Sequence, residues 1–372
     1  MIYFDNAATS FPKPRCVIKA VNACIKKFGG NPGRGGHALS LLASEIVYSA
    51  REEVAALLYA RPEQIVFTPN ATFALNLAIQ TRLKAGSHVL ISDQEHNATF
   101  RVVHALAEKG LVTYDFFPSK EFCSAEIEKR IRPNTDTLIC NLTSNLTGNT
   151  LSLSTLLSVA RQHRLYLILD ASQWIGHQVI CREIAQADAI CAPGHKGLYG
   201  IQGSGFLYLK KGDALSPFVF GGSGTDSESP NMPSYIPERF EAGTLSTPAI
   251  ASLAAGIRYI RAIGLEEIEA HEKALTHRCI DILSDFPSVS VYTSENGGTS
   301  LVSFSHPDFS SEELADRIDQ YGICVRGGFH CAPIAHRSQI GTPGGAVRIS
   351  FGLMNTLKEL DALYTALSEI LK

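Results

Sequence analysis

A basic field is missing from this sequence. Against 33 lysines and arginines stand 36 aspartates and glutamates over 372 residues, a formal charge of −3. That balance attracts neither a nucleic-acid backbone nor an anionic membrane surface, so neither is expected as a partner. No apolar run approaches the roughly 20 residues of a membrane span. The opening MIYFDNAATS carries Asp5 and no basic stretch leading into an apolar core, so a cytoplasmic location is expected. Cysteine pairs are also missing. Nine cysteines, none in a C-x-x-C pair, make no disulfide framework in a chain this long. Reduced thiols are expected, with Cys24, Cys140, Cys191 and Cys324 in apolar patterns that read as core. There is no internal repeat, no low-complexity segment and no Walker A sequence. Gly33-Arg34-Gly35-Gly36-His37-Ala38 fits G-x-G-x-x-A, yet it follows a helix and Pro32 where a dinucleotide fold needs a strand.

What the chain does have is apolar sequence in quantity, 45% of residues, enough for a large core and two domains. Val17, Ile18, Val21, Ile25 and Phe28 recur at helical spacing after an extended arm, and Leu42, Ile46, Val47, Val54, Leu57 and Leu58 mark a second helix. Short apolar runs then alternate with helical stretches at 64–68, 88–92, 111–117, 137–142, 165–169, 188–192 and 205–210. Such alternation predicts an α/β fold with a mostly parallel sheet covered on both faces. A glycine-, serine- and proline-rich loop spans 221–237. Strands are expected at 299–305 and 323–326, a capping box at Ser310-Ser311-Glu312-Glu313, and a helix cap at Asn355. The expected division is an arm over 1–15 packing with the small domain, a large domain over 16–255, and a smaller α+β domain over 256–372.

In parallel sheets ligands collect at the carboxyl ends of the strands. Lys196 stands there, between His195 and Gly197, after the run Ala189-Ile190-Cys191-Ala192. An arbitrary lysine is solvated, but burial and a neighbouring cation would lower this amine's pKa and make it a nucleophile toward carbonyls. Asp170 follows the run 165–169 and belongs to the same rim. A lysine to bond the cofactor and an acid to keep its pyridine nitrogen protonated are the pair a pyridoxal phosphate site needs; a structural ion pair is the plain alternative. Thr68-Pro69-Asn70-Ala71-Thr72, between a strand and a helix, offers backbone N–H groups and the Thr72 hydroxyl to a phosphate, although Thr72 alone would read as a helix cap. His96, after the next strand, would lie over a flat ring. Cys331 sits on a bent loop between Gly327-Gly328 and Pro333, where Arg326 and His330 would favour its thiolate. No second ligand pair accompanies His330, Cys331 and His336, so no metal is expected.

Seven short motifs occur in one order: Asn70-Ala71-Thr72, Glu95-His96, Ser144-Asn145, Asp170-Ala171-Ser172-Gln173, Gly194-His195-Lys196, Arg239-Phe240-Glu241-Ala242-Gly243-Thr244, and Arg326-Gly327-Gly328-Phe329-His330-Cys331-Ala332. In these the chain resembles the class V aminotransferase family, in its SufS-like cysteine desulfurase and selenocysteine lyase branch, from Tyr3 to the last helix. The resemblance implies fold type I of the pyridoxal 5'-phosphate enzymes. It implies Lys196 as the residue that bonds the cofactor, Asp170 on the pyridine nitrogen, Gln173 on the ring hydroxyl and His96 stacked on the ring. Ala71, Thr72 and His195 take the phosphate, joined by Gly243 and Thr244 from a second subunit, which makes a homodimer necessary. Asn145 and Arg348 match the positions for the substrate carboxylate, and Cys331 matches the nucleophile.

The implied activity converts L-cysteine, or selenocysteine, to L-alanine and leaves a persulfide on Cys331 for a sulfur-acceptor protein. The alternative is a class V aminotransferase, or another lyase using the same cofactor, in which Cys331 has no catalytic part. Departures from the branch are Pro193 in place of a serine, Ala71 in place of a hydroxyl residue, Phe329 in place of a histidine, and Asn97 after His96. With Pro193 and Ala71, phosphate contacts rest more on backbone amides and Thr72.

Overall fold

The computed structural model describes residues 1–33, 35–120, 122–212, 215–293 and 300–372. Arg34 of the glycine-rich match and Thr299 of the expected strand 299–305 lie outside the described residues. In chain order the elements begin with β1 (Ile2–Tyr3), α1 (Arg15–Lys27) and α2 (Ala38–Leu57). Alternation follows: β2 (Ile65–Thr68), α3 (Ala71–Arg82), β3 (Ser87–Ser92), α4 (Asn97–Glu108), β4 (Val112–Phe117), α5 (Ser124–Glu128), β5 (Thr135–Asn141), α6 (Leu153–His163), β6 (Tyr166–Asp170), β7 (Ala189–Pro193) and β8 (Gly205–Leu209). The remainder is α7 (Thr247–Ile263), α8 (Leu265–Ser284), β9 (Ser290–Val291), β10 (Leu301–Ser305), α9 (Ser311–Asp319), β11 (Ile323–Cys324), α10 (Pro333–Ala335), β12 (Val347–Ser350) and α11 (Leu357–Ile370).

Seven strands form one sheet in the order β2-β8-β7-β6-β5-β3-β4. Only β8 runs against the others, antiparallel to both β7 and β2. The apolar runs are continuous because both faces are covered, and alternate residues serve opposite cores. In β6, Leu167 and Leu169 join the core formed with α2, α6 and α7, while Ile168 joins the one formed with α3 and α4. Asn141, Asp170 and Pro193 end three adjacent strands, and β2 and β3 end at the same rim. That edge carries the site.

A third core gathers Leu275, Cys279, Val302, Phe304, Val347, Ile349, Leu360 and Leu363, with Phe4 from the arm. The arm is bound there by β1, parallel to β11. Residue 256, the expected domain start, falls inside α7, whose Leu253, Ile257 and Ile260 pack into the large sheet's core. The hand-over from the core with α2, α6 and α7 to this third one occurs along α8, between Ile268 and Leu275.

Three local expectations need correction. Asn355 does not cap α11: its Oδ1 accepts from Gly352 N at 2.9 Å and from Asn6 Nδ2 at 3.0 Å, and its Nδ2 donates to Tyr3 O at 3.0 Å, so it clasps the arm. Thr356 is the cap residue, with its N–H on Glu359 Oε2 at 2.8 Å. At α9, Ser310 Oγ accepts from Glu313 N at 3.1 Å, but the Glu313 carboxylate turns to Arg317 at 2.9 Å and the capping box stays half made. On α1 the buried residues are Val17 and Cys24, whereas Ile18 and Ile25 of the expected apolar face are 50% and 66% exposed.

Candidate active site

Thirteen residues line a cavity of about 90 Å³ at the sheet's carboxyl edge, among them Ala71, Thr72, His96, Asn145, Asp170, Gln173, His195 and Lys196. Residues 125 positions apart meet there because Ala71 opens α3 after β2 while Lys196 follows β7. No hydrogen bond or ion pair to Lys196 Nζ occurs among the described residues. Burial, and then the Arg348 charge, lowers its pKa to about 8 against a smaller opposite pull from Asp170. A fraction of this amine is therefore neutral near physiological pH.

Asp170 is buried, and desolvation raises its carboxyl pKa while the Ser172 bonds and the Lys196 charge oppose that shift. Its Oδ1 accepts the Ser172 N–H at 2.9 Å. Gln173 Nε2 donates to Ala7 O at 2.9 Å, so the arm fixes the amide's orientation. His96 caps α4, with Nδ1 accepting from Ala98 N at 3.0 Å. That bond places the ring proton on Nε2, and burial followed by the Lys196 charge depresses the imidazole's pKa to about 4. Beneath it Glu95 is fully buried, its pKa pushed up to about 8 by desolvation, with Oε1 accepting from Asn141 N at 2.6 Å.

Thr72 is not the cap of α3. Asn70 is, with its side chain accepting from Phe73 N at 2.8 Å, which leaves the N–H groups of Ala71 and Thr72 without helical partners and the Thr72 side chain exposed. His195 Nδ1 is buried without a partner, and burial and then Lys196 lower that ring's pKa to about 4. The arm grips the lysine loop from outside: His195 O accepts from Ser10 N at 3.1 Å, Thr9 Oγ1 at 3.0 Å and Lys13 Nζ at 2.9 Å. No local signal in the sequence pointed to Lys13 or Ser10.

Arg348 and Cys331 reach the cavity through neighbours that line it or adjoin its wall. Arg348, 2% exposed, donates from Nη1 to Asn145 O and from Nη2 to Asp5 Oδ1, both at 2.9 Å. Asn145 Nδ2 in turn donates to His330 O at 2.6 Å, and its Oδ1 is buried without a partner. Cys331 is exposed, with φ of +56° directly after His330 at +50°. Two non-glycine residues in the left-handed region mark a strained turn of the kind that clusters at functional sites. The turn is tied down by Cys331 O, which accepts from Asn97 N at 2.7 Å beside His96. His330 does not supply the cation expected beside the thiol, because burial lowers its pKa to about 3 and its Nε2 donates to Ala346 O at 2.8 Å. It holds the loop.

Gly243 and Thr244 are not brought to this cavity. Both are exposed and line a separate one of about 480 Å³. Among the described residues no group of three or more His, Cys, Asp or Glu is placed to hold a metal ion, and no helix is long and apolar enough to cross a membrane.

The family described as Aminotransferase class-V matches residues 2–363. The chain belongs to the class V aminotransferase family. Two similar curated proteins are probable cysteine desulfurases of Pyrococcus abyssi and Methanothermobacter thermautotrophicus, each 32% identical, aligned over 100% and 99% of this chain and 94% of each relative. Among solved structures, the apo cysteine desulfurase of Thermococcus onnurineus superposes with a TM-score of 0.92 at 31% identity, over 100% of this chain and 94% of that one. The Escherichia coli cysteine desulfurase CsdA, in an S-sulfonic acid form, gives 0.88 at 26% identity, over 100% and 95%. The class V family is pyridoxal phosphate-dependent, these relatives are probable cysteine desulfurases, and the two solved neighbours are cysteine desulfurases. As an enzyme of this family, the chain keeps the expected lysine and aspartate on one rim, with Ala71, Thr72 and Pro193 lining the same cavity.

Proposed function

We propose that this chain is a pyridoxal phosphate-dependent cysteine desulfurase that converts L-cysteine to L-alanine and leaves the sulfur as a persulfide on Cys331. The observation that carries this reading is the 2.7 Å bond from Asn97 N to Cys331 O, which ties the backbone of an exposed cysteine to the residue after the histidine that walls the cavity. The donor set suits the cofactor. Lys196 would bond it, Asp170 would face the pyridine nitrogen, Gln173 the ring hydroxyl and His96 the ring. The unpartnered His195 Nδ1, the α3 amides of Ala71 and Thr72 and the Thr72 hydroxyl would take the phosphate. Bound there, pyridoxal phosphate supplies an electron sink for charge that develops at the substrate's Cα.

The protein's own groups do the rest. Arg348 and the Asn145 amide hold the substrate carboxylate, and Lys196, with its pKa near 8, moves the proton at Cα. The Cys331 thiolate attacks the substrate's Sγ. The Sγ–Cβ bond breaks with its electron pair left on carbon, which takes a proton, so that cysteine and a thiol become alanine and a persulfide. Selenocysteine fits the same arrangement. The persulfide on an exposed residue is then open to a thiol of an acceptor protein.

A homodimer belongs to the same reading. Gly243 and Thr244 lie away from their own cavity, and Ile18, Ile25, Leu41 and Tyr48 of the first two helices are exposed apolar surface suited to a second copy. Nine free cysteines suit a reducing compartment such as the cytoplasm. The same reading divides the chain into an arm over 1–15, a large domain over 16–255 that would carry the cofactor groups, and a small domain over 256–372 that would carry Cys331 and Arg348. Alanine production from L-cysteine by wild type and Cys331→Ala, with mass spectrometry for a persulfide on Cys331, tests the activity. A variant as fast as wild type would make Cys331 structural and leave an aminotransferase or another lyase.

A further inference from the structure

The loop that carries Gly243 and Thr244 is held by a buried ion pair that the chemistry above does not use. Arg51, on α2, donates from Nη1 and Nη2 to Oε1 and Oε2 of Glu241 at 2.8 and 2.9 Å, with both side chains under a tenth exposed. Glu241 Oε1 also accepts the Phe67 N–H at 2.6 Å, Arg51 Nη1 donates to Ile65 O, and the guanidinium lies 4.6 Å over the Phe67 ring. Two residues on, Gly243 turns at φ +94°, a conformation that favours glycine, and its N–H bonds Gly222 O at 2.8 Å. A buried ion pair is weak evidence for stability, since desolvation offsets its attraction, but the two-pronged geometry permits only one arrangement of the groups it joins.

We propose that Arg51 and Glu241 are positioning residues acting in trans, presenting Thr244 to the cofactor phosphate in the partner subunit. This rests on the dimeric, cofactor-binding reading above. The pair also grips β2, which leads into α3 and hence toward its own subunit's phosphate corner. The partner's site is favoured because Glu241 and Thr244 share one short loop. Toward its own site the path from Phe67 to Thr72 runs through a helix start that Asn70 already fixes independently.

Mixed dimers separate the two routes. Glu241→Gln homodimers are expected to release cofactor about 10-fold or more faster than wild type, the scale of one misplaced charge-assisted hydrogen bond, read from the loss of visible absorbance on dilution. In a dimer of Lys196→Ala with Glu241→Gln chains, the one intact lysine receives an undamaged loop, so release is expected at the wild-type rate. In a dimer of wild type with a chain carrying both substitutions, the intact lysine receives the damaged loop and release is expected to be fast. Arg51→Lys, which keeps charge and loses the fork, goes through the same pairings in case Glu241→Gln does not fold. Fast release that follows the lysine-bearing chain, or Glu241→Gln and Arg51→Lys homodimers that hold cofactor as wild type does, overturns the proposal. A wild type with no visible absorbance or no dimer instead sinks the reading beneath it, and this inference with it.

Discussion

Nη2 of Arg348 lies 2.9 Å from Asp5 Oδ1, joining the amino-terminal arm to a strand 343 residues later. Nη1 is committed to Asn145 O, and Nε is buried without a partner. The guanidinium is thus fixed in place by two partners, with its Nε–H left unused.

Arg348→Ala is expected to lower kcat/KM for L-cysteine by about 2–4 kcal/mol, from a lost charge-assisted contact and poorer positioning. Arg348→Lys keeps the charge but loses the planar fork, so it is expected to be impaired as well. Steady-state kinetics over both variants decides the matter, and unchanged kcat/KM in Arg348→Ala would take this residue out of substrate binding.

Wild type reconstituted with pyridoxal phosphate is expected to be yellow, and Lys196→Ala to lose that absorbance. The neutral amine is the reactive form. With a pKa near 8, the rate of covalent attachment to the apoprotein should rise with pH up to about 8 and level off above it. A rate still climbing tenfold per unit at pH 9 to 10 would mean an ordinary, solvated lysine.

Three partly or wholly buried imidazoles link stability to pH. Burial holds His96 and His195 near pKa 4 and His330 near 3, below their unfolded value of 6.5. Between about 6.5 and 4 the unfolded chain binds protons that the folded chain refuses, so stability is present above pH 6.5 and lost as pH falls. Glu95, raised to about 8, and Asp170, raised by desolvation, have the opposite sign, protonating at higher pH in the folded chain than in the unfolded one, but His88 and His336, lowered by burial, add to the imidazoles' side. The melting temperature is expected to drop from pH 6.5 to 4 and the drop to be shallower in His330→Asn. An equal slope in that variant would show that His330 does not titrate on unfolding.

Light scattering at micromolar concentration is expected to return twice the 40.3 kDa chain mass. Thr244→Ala should weaken cofactor binding without changing that mass. A monomer that turns over L-cysteine would end the shared-site reading.

Much of this was written locally. Seven largely apolar runs yield the seven strands of the large sheet, because burial on both faces leaves a near-continuous apolar signature in every strand but the edge strand β4, where Thr113 and Asp115 break it. Asp170 was legible for the same reason, directly after such a run, and Lys196 four residues beyond the end of another. The antiparallel direction of β8 was not, since an apolar run carries no sign of its direction.

What only the tertiary structure decided is which distant groups meet. Arg51 and Glu241 are 190 positions apart and Arg348 and Asp5 are 343 apart, and nothing in the spacing of either residue names its partner. Asn355 read as a cap because Asn before a helix usually is one, yet the arm folded against it and supplied Tyr3 O and Asn6 as stronger competitors. His330 read as a cation beside the thiol until burial and the Ala346 carbonyl made it neutral. Residue type and period determine where strands and helices fall, because those depend mainly on neighbours in the chain. Charge state, hydrogen-bond partner and the aim of a side chain depend on desolvation by groups from elsewhere, and only folding brings those groups together.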